Sequence, residues 1–451
     1  MDLQQRVLPQ IHTAFPFQTG NPVTNCDAKI RKKSNLNKFL LTKRNCFKFA
    51  TMKERVLIVT KFYYRRGGDC IYALNLEQML RQQGHEVAVF AMDYPENNGS
   101  EWSAYWPSEI SFSGGAGQKL AALKRTLGTG DVKTCFDRIL KDFKPDIVHL
   151  NNIHSYISPV VGRMARQAGA KVVWTLHDYK LLCPAYSCLR EGQPCELCFH
   201  SKWPVVRTKC MKGSMAASVI AFIEARHWNR RKLESVTDAF VCPSGFMAEK
   251  MASGGFNKNR LKTLCNFIAP EMAERYRKID NTTPQERDYY CYVGRLSEEK
   301  GIATLLKAAS DLPYKFKVAG DGPLGDELRR KFGACSNIEF LGMLSSEDVK
   351  TLLYGARFSV MPSECYENNP LGVIESFCAG TPVVGASIGG IPELINQSRG
   401  MTFRSGDAAD LAKAINKAWA TDYDRAEIQR GALIEFSPEK YYQRLISEIY
   451  R

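Results

Sequence analysis

Residues 356–387, ARFSVMPSECYENNPLGVIESFCAGTPVVGAS, place a helical pattern between two short apolar runs. ARFSVMPS and TPVVGAS, at the two ends, have the length and apolar content of buried strands. Asn369 followed by Pro370 is typical of a helix start, and Gly380 followed shortly by Pro382 is typical of a helix end. The stretch therefore alternates strand, helix and strand, which is the pattern of a doubly wound α/β domain.

Two parts of the chain repeat this alternation. RVLIVT (55–60), an amphipathic stretch ending at Gly84, and HEVAVFAM (85–92) predict a βαβ unit. Other buried-strand candidates are DIVHLN (146–151), KVVWTL (171–176), DAFVCPS (238–244), YYCYVGR (289–295), YKFKVAG (314–320) and NIEFLG (337–342). These patterns predict an α/β protein with two Rossmann-like doubly wound domains, whose ligand lies in the interdomain cleft at the carboxyl ends of the strands.

The predicted domain organisation follows from two changes in composition. The first residues are basic and lack periodicity, which indicates a flexible extension, and a polar segment separates the two series of strands. The predicted parts are the extension 1–51, an N-terminal Rossmann-like domain 52–268, a linker 269–288, a C-terminal Rossmann-like domain 289–436 and a C-terminal helix 437–451.

Composition and charge limit the class of protein. A chain of 451 residues with 44% hydrophobic and 24% charged residues is typical of a soluble globular protein, and no apolar run is long enough to predict a membrane span. Fifteen cysteines without a recognisable secretory leader favour a reducing compartment, so we expect a cytoplasmic protein. The net charge of +15 suits an anionic partner such as a nucleotide, a nucleic acid or an anionic lipid, without choosing among them.

Two glutamates flank the predicted helix start in the opening stretch. Glu367 falls in the loop before the helix and Glu375 in its interior. A general acid is not expected here, because the positive end of a helix dipole lowers the pKa of a carboxyl group. The two side chains fit better as hydrogen-bond acceptors for the hydroxyls of a ligand that binds at the helix N-terminus. The alternative is an exposed glutamate and a salt-bridged one without a binding role.

Two cations and two glycine-rich loops follow other strands of the same series. Arg295 comes directly after a strand and Lys300 begins the next helix, so a diphosphate could bridge them at one edge of the sheet. Gly320 and Gly322, in AGDGPLGDE (319–327), would let a planar or phosphorylated group approach the backbone. The alternatives are solvated surface charges and ordinary turns.

Together these elements resemble the retaining family-four glycosyltransferases of the two-domain GT-B fold. The resemblance is carried by VGRLSEEKG (293–301), AGDGPLGDEL (319–328), FLG (340–342) and MPSECYENNPLGVIESFCAGTPVVGASIGGIPELI (361–395). The two glutamates of the last segment, separated by seven residues, are the hallmark of that family. The resemblance covers residues 52 to about 450.

The resemblance implies a reaction and a site. The enzyme would move a sugar from a nucleotide-diphosphate sugar to a glycan or a lipid-linked acceptor in cell-surface polysaccharide synthesis, without a catalytic metal. Arg295 and Lys300 would hold the donor diphosphate, Glu375 the ribose hydroxyls and Glu367 hydroxyls of the transferred sugar. Three further residues would lie near the sugar and phosphate: Asn368, Asn369 and Leu371. The segment ENNP replaces a loop with Gly and Phe found elsewhere in the family, and is similar to a bacterial surface-polysaccharide subset.

The N-terminal series offers a histidine and an arginine–glycine segment. His177 follows a strand in WTLHDYKLLCP (174–184), where the family has a histidine near the donor sugar, so the resemblance favours a role in sugar binding or leaving-group geometry. The implied catalytic residues are thus His177, Glu367, Arg295 and Lys300. RRGG, formed by Arg65, Arg66, Gly67 and Gly68, precedes a helix start and would seat an anionic acceptor, although turn chemistry alone also explains the glycines.

A cysteine-rich insertion, residues 183–210, interrupts the N-terminal domain. Its Cys-x-x-Cys pair and two further thiols fit a tetrahedral structural zinc site. The expected ligands are Cys183, Cys195, Cys198 and Cys210, with Cys188 or His200 as substitutes. The alternative is a set of free thiols.

Residues 215–236 are first apolar and then basic, with Trp228 between the two parts. This pattern fits a helix that lies on an anionic bilayer through Arg226, Arg230 and Arg231, and it also fits an ordinary packing helix. Such contact would place the protein peripherally on the inner face of the membrane.

Asp422 and Asp424 have the Asp-x-Asp spacing of a manganese site in a different glycosyltransferase fold. They precede a late helix and lie away from the strand ends, so we interpret them as helix-capping residues.

Two other functions remain open on the sequence. A nucleotide-sugar 2-epimerase of similar fold would release free sugar and UDP without an acceptor. A non-catalytic protein that binds nucleotides or nucleic acids would use the net positive charge, although no recognition helix or aromatic basic patch supports nucleic-acid binding.

Overall fold

The structure is a computed structural model that describes residues 53–111, 114–282 and 286–451. The predicted extension at 1–51 lies outside these residues. Within them, the strands form two six-stranded sheets and one short hairpin.

The first sheet is built from the N-terminal half of the chain. Its order is β2-β1-β3-β4-β7-β8, and every neighbouring pair is parallel. A separate antiparallel hairpin, β5–β6, lies in the cysteine-rich insertion. The strands are β1 (Arg55–Val59), β2 (Glu86–Phe90), β3 (Ile147–Leu150), β4 (Lys171–Thr175), β5 (Leu189–Arg190), β6 (Gln193–Pro194), β7 (Ala239–Cys242) and β8 (Leu261–Thr263).

Helices connect these strands and cover the sheet, which explains why every residue of β3 and β7 is buried. The α-helices of this half are α1 (Gly68–Gln82), α2 (Ala116–Thr126), α3 (Asp131–Phe143), α4 (Val160–Gln167), α5 (Pro204–Arg207), α6 (Met215–His227), α7 (Arg230–Val236), α8 (Gly245–Ser253) and α9 (Pro270–Arg277).

The second sheet has the same architecture. Its order is β11-β10-β9-β12-β13-β14, again with parallel neighbours. The strands are β9 (Tyr289–Val293), β10 (Lys315–Ala319), β11 (Ile338–Gly342), β12 (Ser359–Met361), β13 (Val383–Ala386) and β14 (Gly400–Phe403). The α-helices are α10 (Ile302–Ser310), α11 (Gly325–Phe332), α12 (Ser346–Gly355), α13 (Leu371–Cys378), α14 (Ile391–Leu394), α15 (Ala408–Ala420), α16 (Arg425–Glu435) and α17 (Pro438–Arg444).

The order of strands reverses once in each sheet, and this positions the ligand site. In the first sheet β1 lies between β2 and β3, and in the second β9 lies between β10 and β12. The loops that follow these strands diverge to opposite faces, which leaves a crevice at the carboxyl ends. The loops after β1 and β3, and those after β9 and β12, are therefore the expected binding loops.

The C-terminal helix returns to the first sheet. α17 continues into a π-helical turn, Leu445–Tyr450, and this segment packs into the hydrophobic core of the N-terminal half. The hydroxyl of Tyr442 lies 2.9 Å from His85 Nε2, and the hydroxyl of Tyr450 lies 2.7 Å from His149 Nδ1. The last helix thus joins the two halves, which its amphipathic pattern alone did not predict.

Candidate functional site

A cavity of about 830 Å³ lies between the carboxyl edges of the two sheets. Residues from the loops after β1, β3 and β4 line one side, and residues from the loops after β9 and β12 line the other. We call these two sides the N-terminal wall and the C-terminal wall. The cavity lies where the predicted cleft should be.

The C-terminal wall is centred on an ion pair. Lys300 Nζ donates a 2.6 Å hydrogen bond to Glu367 Oε1, and the Ser363 hydroxyl donates a second to the same oxygen at 2.8 Å. Burial lowers the pKa of Lys300, but the contact with Glu367 outweighs burial and raises that pKa above its ordinary value. Arg295 lines the same wall and is exposed. Sequence reasoning therefore located three residues that share one wall of the cavity.

A glycine lets the Lys300 loop approach the loop of Glu367. Gly301 has a φ of 65°, and a Cβ at this position would lie 2.0 Å from the carbonyl oxygen of Pro362. Any other residue would push the two loops apart, because this contact is with backbone rather than with a flexible side chain. The ion pair between Lys300 and Glu367 depends on this close approach.

Glu375 lies behind the cavity. It is in the interior of α13, one turn after Leu371, which does line the cavity. Burial raises the pKa of Glu375 to about 7, and no side-chain or backbone donor among the described residues hydrogen-bonds to its carboxyl group. A half-buried carboxyl group without a donor is a candidate acceptor for ligand hydroxyls.

Asn368 contacts the opposite wall. Its Nδ2 donates a 2.8 Å hydrogen bond to the carbonyl oxygen of His177. Its Oδ1 is buried and has no hydrogen-bond partner among the described residues. Because buried amide oxygens are rarely left unpaired, this atom is available to a ligand in the cavity.

The predicted capping role of Asn369 is wrong. Pro370 occupies the N-cap position of α13 without a side-chain capping hydrogen bond, and the helix begins at Leu371. The Oδ1 atom of Asn369 instead accepts the Asn266 backbone N–H at 2.9 Å, and Asn266 Nδ2 donates to the Asn369 carbonyl at 2.8 Å. The side-chain oxygen of Asn369, which the local pattern assigned to the helix N-terminus, is therefore bound by Asn266 of the N-terminal half.

The glycines of AGDGPLGDE do not line the cavity. A Cβ at Gly320 would lie 1.9 Å from the Gly294 carbonyl oxygen, and one at Gly322 would lie 2.5 Å from the Leu296 carbonyl oxygen. These glycines therefore let their loop pack against the backbone of the loop that carries Arg295. In this structure they support the wall and do not face a ligand.

His177 lies on the N-terminal wall as an uncharged group. Burial lowers the pKa of its imidazole to about 4, and its Nε2 lies 3.1 Å from Asn151 Oδ1. At neutral pH it is suited to hydrogen bonding with a sugar hydroxyl and not to ionic contact with phosphate.

Three half-buried charged groups on or beside the N-terminal wall were given no role from the sequence. Asp69 and Asp178 line the cavity, and Lys61 is half-buried beside them. Burial raises the pKa of Asp178 to about 6 and lowers that of Lys61. Burial also raises the pKa of Asp69, but His177 and a 2.7 Å hydrogen bond from Asn152 outweigh it and keep that pKa below its ordinary value.

A signal for these groups was present in the sequence. Asp69 directly follows RRGG, Asp178 directly follows His177, and Lys61 comes shortly after β1. All three lie after strands at the edge that the fold assigns to ligands.

The predicted acceptor segment contributes only its last residue. Gly68 lines the cavity, whereas Arg65, Arg66 and Gly67 do not. Both arginines are exposed, and the guanidinium of Arg66 lies 4.2 Å from the centre of the Phe62 ring. The loop bends so that the next residue, Asp69, enters the site in their place.

The predicted zinc ligands do not form a metal site. Among the described residues, no group of three or more His, Cys, Asp or Glu side chains is arranged to hold a metal ion. The Cys183 thiol is hydrogen-bonded to Cys188 instead, which lowers the pKa of Cys183, and Cys210 Sγ lies 2.8 Å from the Thr208 hydroxyl. The cysteines are free thiols in this structure.

The basic segment and the Asp-x-Asp pair also have defined places. Trp228 is buried and donates a 2.8 Å hydrogen bond from Nε1 to the Thr126 carbonyl, so it separates α6 from α7 as a packing residue.

Asp424 Oδ1 accepts the Glu427 N–H at 2.8 Å at the start of α16, which confirms the predicted cap. Asp422 pairs with Arg357 at 3.6 Å.

Two family models match the chain in succession. The model described as Glycosyltransferase Family 4 matches residues 66–272, and the one described as Glycosyl transferases group 1 matches residues 275–433. The chain belongs to this glycosyltransferase family. The matches cover both walls of the cavity, and they confirm the family that the glutamate pair predicted.

Individual relatives of this glycosyltransferase are distant. An uncharacterized 42.6 kDa protein in the cps region of Klebsiella pneumoniae is 26% identical over 353 residues, which are 75% of this chain and 86% of that protein. LpsE of Rhizobium meliloti, a lipopolysaccharide core biosynthesis glycosyltransferase, is 28% identical over 203 residues, or 43% of this chain and 58% of LpsE.

The fold is also found among solved structures. HepE of Anabaena, in complex with UDP and glucose, superposes with a TM-score of 0.57 and 17% identity, covering 87% of this chain and 98% of HepE. Together with the two parallel sheets and the cleft between them, this similarity confirms the predicted GT-B fold of the glycosyltransferase.

Proposed function

We propose that this glycosyltransferase moves a sugar from a nucleotide-diphosphate sugar, with retention of configuration, to a hydroxyl of a glycan or lipid-linked acceptor in cell-surface polysaccharide synthesis. The Lys300–Glu367 ion pair in a cleft that also contains Arg295 carries this proposal. A bound diphosphate would replace Glu367 as the ionic partner of Lys300. Glu367 would then accept hydrogen bonds from hydroxyls of the donor sugar.

The proposed mechanism uses positive charge and no protein nucleophile. The bond between the sugar C1 and the diphosphate breaks while Arg295 and Lys300 stabilise the negative charge of the leaving group. The acceptor oxygen forms its bond to C1 on the same face, and its proton passes to an oxygen of the leaving diphosphate. Trapping of a covalent glycosyl-enzyme would contradict this route.

The relatives support the choice of donor and acceptor. The HepE structure contains UDP and glucose, so a UDP-sugar is the first donor to test. The cps-region relative and LpsE favour a surface polysaccharide or lipopolysaccharide acceptor. We propose no catalytic metal, because two cations of the C-terminal wall can neutralise the diphosphate.

A thermal-shift panel of UDP-, GDP- and ADP-sugars tests the proposed function. We expect one nucleotide series to stabilise the wild type and to stabilise Glu375→Ala much less, whereas Glu439→Ala, at an exposed glutamate on α17, should respond like the wild type. Stabilisation by no nucleotide sugar would contradict the proposal. Release of free sugar and UDP without an acceptor would favour a 2-epimerase.

An apolar and basic surface supports contact with an anionic membrane. In the parts of the chain that the structure describes, every helix is too short or too polar to cross a bilayer. However, Met215, Val219 and Ile223 are exposed along one side of α6. Trp203, whose ring centre lies 5.7 Å from that of Phe222 on the same helix, is 57% exposed. Glu224 is the only acidic residue between Leu197 and Lys232, and it is buried against Lys180. We propose that this surface rests on the inner face of the membrane.

Vesicle binding tests the membrane contact. Changing Arg226, Arg230 and Arg231 to Glu should reduce sedimentation with vesicles that contain phosphatidylglycerol, since each cation near an anionic surface contributes about 1 kcal/mol. The matched control reverses three exposed lysines of the C-terminal half, Lys307, Lys331 and Lys413. Equal loss in both variants, or no binding by the wild type, would contradict the proposed surface.

A further inference from the structure

Tyr366 belongs to the C-terminal wall of the cavity, yet its ring packs against the N-terminal half of the molecule. It directly precedes Glu367, yet its ring is partly buried against the hydrophobic core of the first sheet. The ring centre lies 4.9 Å from that of Phe246 and 5.9 Å from that of Tyr179, both in edge-to-face geometry. The loop that carries Glu367 is therefore anchored on the opposite side of the cleft.

The hydroxyl of Tyr366 is held by a charged pair. Its Oη donates a 2.8 Å hydrogen bond to Glu196 Oε1, and Lys250 on α8 forms an ion pair with the same carboxylate. The Nζ atom of Lys250 lies 5.3 Å above the Tyr366 ring and 5.1 Å above the Phe246 ring. Hydrogen bonds to a charged acceptor are stronger than neutral ones, so this contact fixes the tyrosine more firmly than packing alone.

Glu196 brings the cysteine-rich insertion into this contact. It lies between the two cysteines of the Cys-x-x-Cys pair, in a segment that otherwise supplies neither a metal site nor a charged group to the cavity. Burial raises the pKa of Glu196, but Lys250 and the tyrosine hydroxyl outweigh burial and keep that pKa below its ordinary value. Glu196 is therefore an ionised acceptor at neutral pH.

A second set of hydrogen bonds, besides the contacts of Tyr366, joins α8 to the C-terminal half. Both carboxylate oxygens of Glu393 accept backbone N–H groups at the start of this helix, from Gly245 at 2.8 Å and from Phe246 at 2.5 Å. The helix that carries Phe246 and Lys250 is thus fixed relative to the second sheet. Tyr366 therefore contacts a helix that is itself hydrogen-bonded to the C-terminal half.

Anchors on both sides of Glu367 determine its position. Tyr366 is held by Glu196, and Asn368 is held by the carbonyl oxygen of His177. Glu367 lies between them and points to Lys300. Release of Tyr366 would free one side of this short segment and misplace a carboxylate that must meet sugar hydroxyls at hydrogen-bond distance.

We propose that Tyr366 is a positioning residue for Glu367, and that Glu196 of the insertion, paired with Lys250, holds it in place. The insertion thereby sets the geometry of the donor-sugar site from the other side of the cleft. This inference rests on the proposed function in one respect, namely that Glu367 binds the sugar of the donor.

Conservative variants test the contact by steady-state kinetics. Tyr366→Phe keeps the ring and loses the hydroxyl, and Glu196→Gln keeps the shape and loses the charge. We expect the KM for the donor to rise roughly tenfold in each, as loss of a charge-assisted hydrogen bond predicts, while the KM for the acceptor and the Tm stay near wild type. The double variant should be no worse than either single one, because both changes remove the same contact.

Glu191→Gln, at an exposed glutamate of the same insertion, is the matched control and should behave like the wild type. A donor KM within twofold of wild type in both single variants would overturn the proposal. So would an equal rise in the acceptor KM, since a general loss of structure would produce that result.

Hydrogen exchange separates this inference from the proposed function. In the protein without donor, amides of residues 361–370 should exchange faster in Tyr366→Phe and Glu196→Gln than in wild type or Glu191→Gln. Unchanged exchange would overturn the positioning role whatever the substrate is. If instead the wild type binds no nucleotide sugar, the proposed function fails while the exchange result still decides whether Glu196 holds the loop.

Discussion

The two walls of the cleft differ in how their charges are arranged. On the C-terminal wall Lys300 and Glu367 form an ion pair beside exposed Arg295. On the N-terminal wall burial lowers the pKa of His177 to about 4 and raises that of Asp178 to about 6. The C-terminal wall therefore carries two cations beside one carboxylate, whereas the N-terminal wall combines an uncharged imidazole with the carboxyl groups of Asp69 and Asp178.

We propose that the two walls serve different parts of the reaction. A leaving diphosphate carries the largest charge in the reaction, and fixed cations stabilise it best. Sugar hydroxyls carry no charge, and an uncharged imidazole or a carboxylate can bind them through directional hydrogen bonds. The following predictions test this division of roles, beginning with the largest effect.

Removal of the lysine from the C-terminal wall should have the largest effect. Lys300→Ala takes away a cation that would face the leaving group, so we expect kcat to fall roughly 10²- to 10³-fold. Lys307→Ala, at an exposed position of α10, removes an equal charge and should retain wild-type turnover. Comparable activity of Lys300→Ala and wild type would mean that this wall does not receive the diphosphate.

Glu375→Gln should weaken donor binding and, at the same time, stabilise the free protein. Loss of a charged acceptor for the ribose hydroxyls should raise the KM for the donor roughly tenfold to a hundredfold. The folded-state pKa of about 7 lies above the ordinary value of 4.5, so the carboxyl group lowers the stability of the fold increasingly as pH rises from 4.5 to 7. Denaturant unfolding at pH 8 should therefore show a more stable variant, with Glu439→Gln as the control. A less stable variant with normal donor KM would contradict both parts.

Features that depend on neighbouring residues were predicted from the sequence, whereas contacts between residues far apart in the chain were not. The strands before Arg295 and Glu367 were predicted because each is a short, mainly apolar run, which is the local pattern of a buried parallel strand. The cap at Asn369 was wrong because its competitor, Asn266, is 103 positions away and invisible to a local pattern. The contact between Glu196 and Tyr366, 170 positions apart, escaped prediction for the same reason.

The N-terminal wall was predicted less well for a different reason. Arg65 and Arg66 were chosen by charge, whereas the structure turns them to solvent and places Asp69 in the cavity. Which residues of a short loop point inward depends on how the loop bends at Gly67 and Gly68. Charge alone does not determine that direction.

Asp69→Asn tests the N-terminal wall. If Asp69 binds an acceptor hydroxyl, its loss should raise the KM for the acceptor roughly tenfold and leave the KM for the donor unchanged. The exposed Asp93 provides a control as Asp93→Asn, which should have no effect on either constant. A rise in the donor KM alone would instead assign Asp69 to the donor and weaken the division between the walls.

The smallest effect concerns the buried histidines behind the N-terminal wall. Burial lowers the pKa of His149 to about 3, far below its ordinary value of 6.5. The unfolded chain therefore takes up protons near pH 6 that the folded chain does not, and the stability present above pH 6.5 is lost as pH falls. For one such histidine the loss between pH 7.5 and 6.0 is roughly 0.8 kcal/mol.

His149→Gln should therefore lose that much less stability than wild type over the same interval, measured as the free energy of unfolding in urea at both pH values. Asp178 and Glu375 have raised pKa values, so their protonation increases the free energy of unfolding as pH falls. They do so equally in wild type and variant. His200→Gln, at an exposed histidine, should keep the wild-type pH dependence. An identical pH dependence in all three proteins would mean that His149 is not held uncharged, and the assignment of an uncharged imidazole to the N-terminal wall would then rest on His177 alone.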